Sequence, residues 1–273
     1  MEIEKEYISD CNTEHPNYER WERGRQAAYK RAEVVKSIIT TVRSCRNMRI
    51  LDLGSGEGGT SSLLSDSNTV ISYDLSIARL KRQQKSAQNY PLINGNAESL
   101  SFKDSSFDVI ILQDVIEHIE NRKTLISELC RVLDESGIIY LSTPNKFSVL
   151  NIISDPHWGI PLLGLFKRAG IKKYFLRFLR KKDFHRGDIA ELLSLNELTK
   201  LFSDFNLYIK TKEVVQILSK SPGGLLWSSF HLFLYNIIKK SGLLFLINRA
   251  ANNQSGIINK YFSPTFYFIL IKI

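Results

Sequence analysis

The residues best placed to do chemistry are two carboxylates and a run of glycines in the first third of the chain. Asp52 opens the stretch Asp52-Leu53-Gly54-Ser55-Gly56-Glu57-Gly58-Gly59, and Asp74 follows 22 residues after Asp52. A glycine-rich turn after a buried strand reaches dihedrals closed to other residues and lets a ligand approach the main chain. The glycines can be parsed in two ways. Gly54, Gly56 and Gly59 make the G-x-G-x-x-G of a dinucleotide-binding turn, whereas Gly54, Gly56 and Gly58 make the G-x-G-x-G of a turn for S-adenosylmethionine (SAM).

Downstream residues separate the two parses. A dinucleotide places its pyrophosphate on backbone N–H groups at a helix N-terminus, and a carboxylate at Asp52 pointing into that pocket would repel it. SAM has no phosphate and carries a sulfonium and an ammonium, which an acidic pocket favours. Asp74, closing a predicted strand, can accept the hydroxyls of a ribose, but this serves either cofactor. The segments NGNAESLSF and SFDVIILQDVIEHI are not required by a dinucleotide site.

Taken together, Asp52 to Gly58, Asp74, Asn96-Ala97-Glu98-Ser99-Leu100-Ser101-Phe102, Phe107-Asp108-Val109-Ile110 and Glu117-His118 resemble class I SAM-dependent methyltransferases. The resemblance covers residues 49–145 and is nearest to the type 11 group that includes ubiquinone- and menaquinone-type enzymes. It implies an α/β, Rossmann-like fold: a seven-stranded, mostly parallel sheet with helices on both faces, its last two strands antiparallel. Here a helical accessory region would be added. It also implies that Gly54, Ser55 and Gly56 face the methionine part of SAM, with Asp52 near its ammonium and Gly58 among the cofactor-binding residues. Asp74 would hold the ribose hydroxyls, Asn96 and Ala97 would flank adenine, and Leu112 and Gln113 would border the sulfonium. The family commonly has Asp where this chain has Asn96, a weaker acceptor for the adenine amino group.

The elements that must position these residues follow a βα rhythm. Residues 18–43 read as a helix, MRILDLG as a buried strand stopped by glycine, 59–64 as a short helix and TVISYDLS as a strand. Residues 77–89 then read as a basic helix, SFDVIILQDVIEHI as a strand running into a helix, 124–133 as a helix and GIIYLSTPN as a strand. Such alternation predicts a parallel sheet covered on both faces. From residue 154 the rhythm changes. We expect a SAM-binding methyltransferase domain over 1–153, a basic amphipathic insertion over 154–186 and a return segment of the domain over 187–218. An apolar region over 219–273 would complete the sheet or cover the acceptor site.

With 43% hydrophobic and 24% charged residues, the composition is that of a globular protein. Cys11, Cys45 and Cys130 lack C-x-x-C spacing, which suits a reducing compartment and no disulfide framework. The acidic, polar start MEIEKEYISD is not a signal peptide. Together these lead us to expect a cytoplasmic protein, peripheral on the inner face of the membrane. The net charge of +9 is unevenly spread: residues 1–156 hold 19 Lys and Arg against 22 Asp and Glu, and residues 157–273 hold 18 against 6. The excess in the second part calls for an anionic partner. In residues 171–186, Ile171, Tyr174, Phe175, Phe178 and Leu179 fall at helical spacing, with Lys172, Lys173, Arg177, Arg180 and Lys181 on the remaining positions. This pattern suits either an anionic membrane surface or a helix packed on the core with a solvated basic face. The longest uncharged run, 221–238, begins with Ser-Pro-Gly-Gly and does not favour a spanning helix.

Methyl transfer demands few side chains, because the sulfonium is already activated. A base is needed only where the acceptor must lose a proton, and His118, just past a strand end, is the candidate catalytic residue. His118 can equally brace the following helix. His157 and His185 can face the acceptor, but solvated or structural roles suit them equally. Asp114 can orient the helix or touch the substrate, and Thr143-Pro144-Asn145 reads first as a loop former. The spacings show no metal cluster, so no metal is expected. The acceptor is expected to be a small or lipid-linked molecule. An RNA methyltransferase is disfavoured, since the aromatics follow helical spacing and not a stacking platform. A SAM-binding protein without catalysis is the remaining rival, against which the intact cofactor loop argues.

Overall fold

The computed structural model describes residues 18–84, 89–181, 184, 189–226 and 229–273. His185 and the other undescribed positions of 171–186 lie outside the described residues. Seven strands form one sheet: β1 (Arg49–Leu53), β2 (Thr69–Asp74), β3 (Leu92–Asn94), β4 (Phe107–Gln113), β5 (Leu133–Pro144), β6 (Phe205–Ile209) and β7 (Thr265–Lys272). Their order is β3-β2-β1-β4-β5-β7-β6. β1 to β5 pair in parallel, and β7 runs antiparallel to both β5 and β6. β6 and β7 are thus antiparallel to one another, and only β7 opposes the direction of the rest.

Strand side chains alternate between two faces, which divides the core in two. Ile50, Val109, Ile111, Ile138, Tyr140 and Ile269 pack on one face with Val34, Val35, Ile38 and Ile39 of α1 (Tyr18–Ile39). Leu51, Ile110, Leu112, Ile139, Leu141, Phe268 and Leu270 pack on the other. That face is covered by Leu125, Ile126, Leu129 and Val132, on the helix Arg122–Val132, and by Leu195 and Leu198, on the helix Leu195–Leu201. α2 (Gly59–Ser65) and α3 (Ile77–Gln84) follow β1 and β2. Every parallel strand therefore delivers its carboxyl end to the same edge of the sheet.

β5 begins at Leu133, four residues before the expected strand, because the chain leaves the preceding helix directly into extended geometry. The accessory region is a third, smaller core: Leu163, Ile171, Phe175, Leu176 and Ile189, with Trp158, Ile160 and Phe184 against them. The helical stretch Arg168–Gly170, Ile171–Leu176 and Arg177–Leu179 contains a π turn in its middle piece. That turn advances the side chains by about one residue relative to α-helical spacing. The stripe expected on one face is consequently split: Ile171 and Phe175 are buried, whereas Tyr174, Phe178 and Leu179 are 62%, 65% and 73% exposed. Beyond β6 come helices Thr211–Lys220, Ser229–Lys240, Leu244–Ala250 and Ile257–Tyr261 before the chain re-enters the sheet as β7. Among the described residues no helix is long and apolar enough to cross a membrane.

One side chain holds this return in place. Asn145, fully buried at the end of β5, donates from Nδ2 to the carbonyls of Lys260 at 3.0 Å and Ser263 at 2.9 Å. Its Oδ1 accepts the Phe147 N–H at 3.0 Å. The side chain is used up in shaping the loop and in clamping the approach to β7. Asn145→Ala leaves these buried carbonyls unpaired and should cost about 2–3 kcal/mol. Urea unfolding checks this as a lower midpoint at unchanged slope, and an unchanged midpoint would exclude the clamp.

Candidate active site

The carboxyl end of β1 passes straight into the glycine loop. Gly54, Gly56 and Gly58 have φ of 77°, 55° and 76°, a region open to glycine at little cost. Gly59 is different. A Cβ there would lie 2.6 Å from the Ala28 backbone, so this glycine exists to let α1 and α2 approach. The backbone thus uses the Gly54-Gly56-Gly58 parse for the turn and Gly59 for packing. Nothing lies within 4 Å of the position a Gly56 Cβ would occupy, so the loop keeps open space beside its main chain.

Beneath the loop Asp52 is almost fully buried, and Ser61 Oγ on α2 donates to its Oδ2 at 2.6 Å. Burial pushes the Asp52 carboxyl up to about 6; the Ser61 hydrogen bond opposes this and the Asp74 charge adds to it. Asp74, at the end of β2, accepts the Gly56 N–H at 2.8 Å through Oδ2 and the Ser76 N–H at 2.8 Å through Oδ1. A carboxylate has about four acceptor sites, so this leaves capacity for further donors. Ser55 Oγ meets the Ser72 hydroxyl at 2.7 Å, and that hydroxyl also lies 2.6 Å from Gln83 Oε1. The loop is therefore braced from β2 and α3, and Gln83 is a member that spacing did not single out.

On the far side, Asn96 is exposed; its Oδ1 accepts the Glu98 N–H at 2.9 Å, and Ala97 packs on the core. Leu75, next to Asp74 and 72% exposed, is an apolar surface at this edge that sequence reasoning missed. Asn94 Nδ2 donates to the Leu75 carbonyl at 2.8 Å, which ties it to the loop carrying Asn96. A large apolar residue directly after a strand-ending acid was the available signal. At the end of β4 the side chain of Leu112 is fully buried in the core, while Gln113 Oε1 accepts from Thr60 Oγ1 at 3.2 Å.

After Gln113 the chain turns through Asp114, whose φ is 56°. Asp114 pairs with Arg31 of α1 and accepts from Ser142 Oγ at 3.1 Å. Val115 packs directly over Gly54, where any Cβ would be 2.4 Å from Val115 Cγ2. The β4 corner thus roofs the glycine loop. Next comes Glu117, with no exposed surface; Thr143 Oγ1 donates to its Oε2 at 2.9 Å. Burial, and then the Asp114 charge, push this carboxyl up to about 8. His118 lies beside it with its ring 5.2 Å from that of His157, edge to face, and His157 Nε2 is 4.0 Å from Glu117 Oε1.

His157 comes from the accessory region, where Asp155 Oδ1 accepts the N–H groups of His157 at 2.9 Å and Trp158 at 2.7 Å. Arg168 fastens this region down: its Nη2 donates to the carbonyls of Glu117 and Ile119, both at 3.1 Å. The glycine loop, both strand-end acids and the Glu117-His118 corner accordingly share one edge, and the second half of the chain brings His157 to it.

The raised Asp52 carboxyl makes a pH prediction. Its folded value, about 6, lies above the 3.8 of an exposed aspartate. Its contribution to stability is therefore fully present below about 4 and is lost as pH rises through 6. Asp52→Asn retains an acceptor for Ser61 and removes the titration. Between pH 4.5 and 7.5 the variant should gain stability relative to the wild type, by about 1–2 kcal/mol once solvent relaxation is allowed for. Urea unfolding at the two pH values measures this, and a difference independent of pH would rule it out.

Residues 51–141 match the methyltransferase domain family. The chain is similar to a Mycolicibacterium smegmatis protein named "Probable S-adenosylmethionine-dependent methyltransferase", 31% identical over 121 residues, covering 44% of this chain and 46% of that protein. It is also similar to the ubiquinone biosynthesis O-methyltransferase of Bartonella quintana, 26% identical over 165 residues, covering 56% and 61%. The chain spans about half the length of the curated relatives it matches. Among solved structures, a SAM-dependent methyltransferase of Thermotoga maritima shares the fold at a TM-score of 0.55 and 15% identity, over 100% of this chain and 99% of that one. The strand order, the glycine turn and the family match agree: residues 51–141 are similar to the methyltransferase domain family, and the sheet that holds them has the fold of solved SAM-dependent methyltransferases.

Proposed function

We propose that the protein transfers a methyl group from SAM to a small or lipid-linked acceptor that enters beside Glu117, His118 and His157. The observation that carries this is the contact of two unlike half-sites. An acidic glycine loop suited to a cationic cofactor lies under Val115; a buried acid and one imidazole follow within three residues of it, and the accessory region brings a second imidazole, His157, beside them. In this reading Asp52 offsets the positive charge of the cofactor, and Gly54, Ser55, Gly56 and Gly58 leave room for its methionine part. Asp74 holds the ribose hydroxyls; Leu75, Asn96 and Ala97 flank the adenine, and Gln113 borders the reacting centre. The cofactor supplies a methyl group already activated by its sulfonium. The chain's own residues orient the acceptor in a dry corner, with His118 and its neighbours receiving a proton where the acceptor must lose one.

Calorimetric titration tests the cofactor half. SAM and S-adenosylhomocysteine should bind, and NAD and FAD should not. Asp74→Ala removes charge-assisted bonds worth roughly 1.5–3 kcal/mol, so SAM affinity should fall about ten- to hundredfold. Asp74→Asn keeps one of the two accepting oxygens, so its comparison with Asp74→Ala separates part of the loop's loosening from loss of charge. An unchanged dissociation constant in Asp74→Ala, or tighter binding of a dinucleotide, would refute the assignment.

We further propose that the acceptor is met at an anionic membrane surface. Tyr174, Phe178 and Leu179 stand exposed among Lys172, Lys173 and Arg177, with Lys173 Nζ 5.1 Å from the Tyr174 ring centre. Phe233, Phe245 and Leu246, on the last helices before β7, are exposed as well, near Lys239 and Lys240. Each basic residue near an anionic bilayer contributes about 1 kcal/mol, screened by salt. Co-sedimentation with anionic vesicles at low salt should retain the protein and neutral vesicles should not. Lys172→Glu with Arg177→Glu should release it, and indifference of the wild type to anionic vesicles would overturn the proposal.

A further inference from the structure

The Glu117 corner contains more than a proton site requires. Glu117 is wholly buried, and its Oε1 has no hydrogen-bond partner, an arrangement that costs free energy unless something else satisfies the oxygen. One ligand atom each from Glu117, His118 and His157 lies within 4.8 Å of the other two, and Glu117 Oε1 faces His157 Nε2 at 4.0 Å. That separation is too long for a hydrogen bond. It is close to the spacing of donors around one ion, roughly 3.4 Å for two ligands of a tetrahedral zinc.

The backbone beneath these side chains is held from both directions. The Glu117 carbonyl accepts from Arg168 at 3.1 Å and from the Glu191 N–H at 2.8 Å. Asp155 fixes the turn that presents His157, and Thr143 fixes the other Glu117 oxygen. Such supporting bonds orient metal ligands and set their affinity.

We propose that Glu117, His118 and His157 form a binding site for one divalent transition-metal ion of the zinc type. Two imidazole nitrogens and one carboxylate oxygen suit zinc and its neighbours, and three protein ligands leave a position open for an incoming oxygen. Binding of the ion stands independently of the methyl-transfer reading. Its use rests on that reading: an acceptor hydroxyl at the open position becomes more acidic and loses its proton to water. The oxygen then bonds the methyl carbon, and the carbon–sulfur pair stays on sulfur, leaving a neutral thioether. His118 is then a ligand and not a base, and the favoured acceptors are those that present a hydroxyl.

The test is titration of cobalt(II) into chelator-treated full-length protein, followed by visible absorption, with calorimetry of zinc(II) alongside. One equivalent should bind and give the absorption of a low-symmetry cobalt site. Glu117→Gln and His157→Ala should each weaken binding at least tenfold, while S-adenosylhomocysteine affinity stays within twofold of the wild type. His118→Gln provides a third variant should one of these fail to fold. Absence of a cobalt spectrum in the wild type, or binding undiminished in the folded variants, overturns the metal site. Failure of S-adenosylhomocysteine to bind the wild type overturns the cofactor reading instead.

Discussion

Asp52 is the last residue but one of a strand whose other buried residues are apolar, so its carboxyl has left water with the Ser61 hydroxyl bonded to it. The rest of the site depends on this placement. The chain must turn immediately, and it does so through three glycines with positive φ. α2 begins at Gly59, where the missing side chain lets α1 pass within van der Waals distance. The second acid, Asp74, reaches the loop from the neighbouring strand and binds Gly56 from below. Two carboxylates thus stand beside one glycine turn and concentrate negative charge there, which disfavours a diphosphate and favours a cation.

The opposite wall is built by a different rule. β4 leaves the sheet through the left-handed Asp114, and its corner is pinned to α1 by Arg31 and roofs the glycine loop with Val115. The accessory region then closes on the corner through Arg168, whose guanidinium spans the carbonyls of Glu117, Ile119 and Ile189. Positive charge in the second half of the chain is therefore partly structural: one of its arginines satisfies main-chain oxygens at the site. The remaining exposed lysines and aromatics are spread over the helical stretch near Tyr174 and the helices before β7.

The sequence by itself determined the rhythm of strands and helices, the glycine turn and the two strand-end acids. These are local signals: alternation along a strand, dihedrals at single positions, and charge directly before or after a turn. Asp52, Gly54, Gly56, Gly58 and Asp74 were legible because the turn that needs them is contiguous. The stripe at Ile171, Tyr174, Phe175, Phe178 and Leu179 was misleading, because one π turn alters which side chains share a face, and nothing in the spacing announces it. Tertiary structure alone decided that His157 meets Glu117 and His118 and that β7 enters between β5 and β6. Arg168 and Asn145 owe their roles to the same level. Each of these depends on the path of the chain over dozens of residues, which is set by the burial of whole elements. A pair brought together that way leaves no period, motif or fixed separation along the chain.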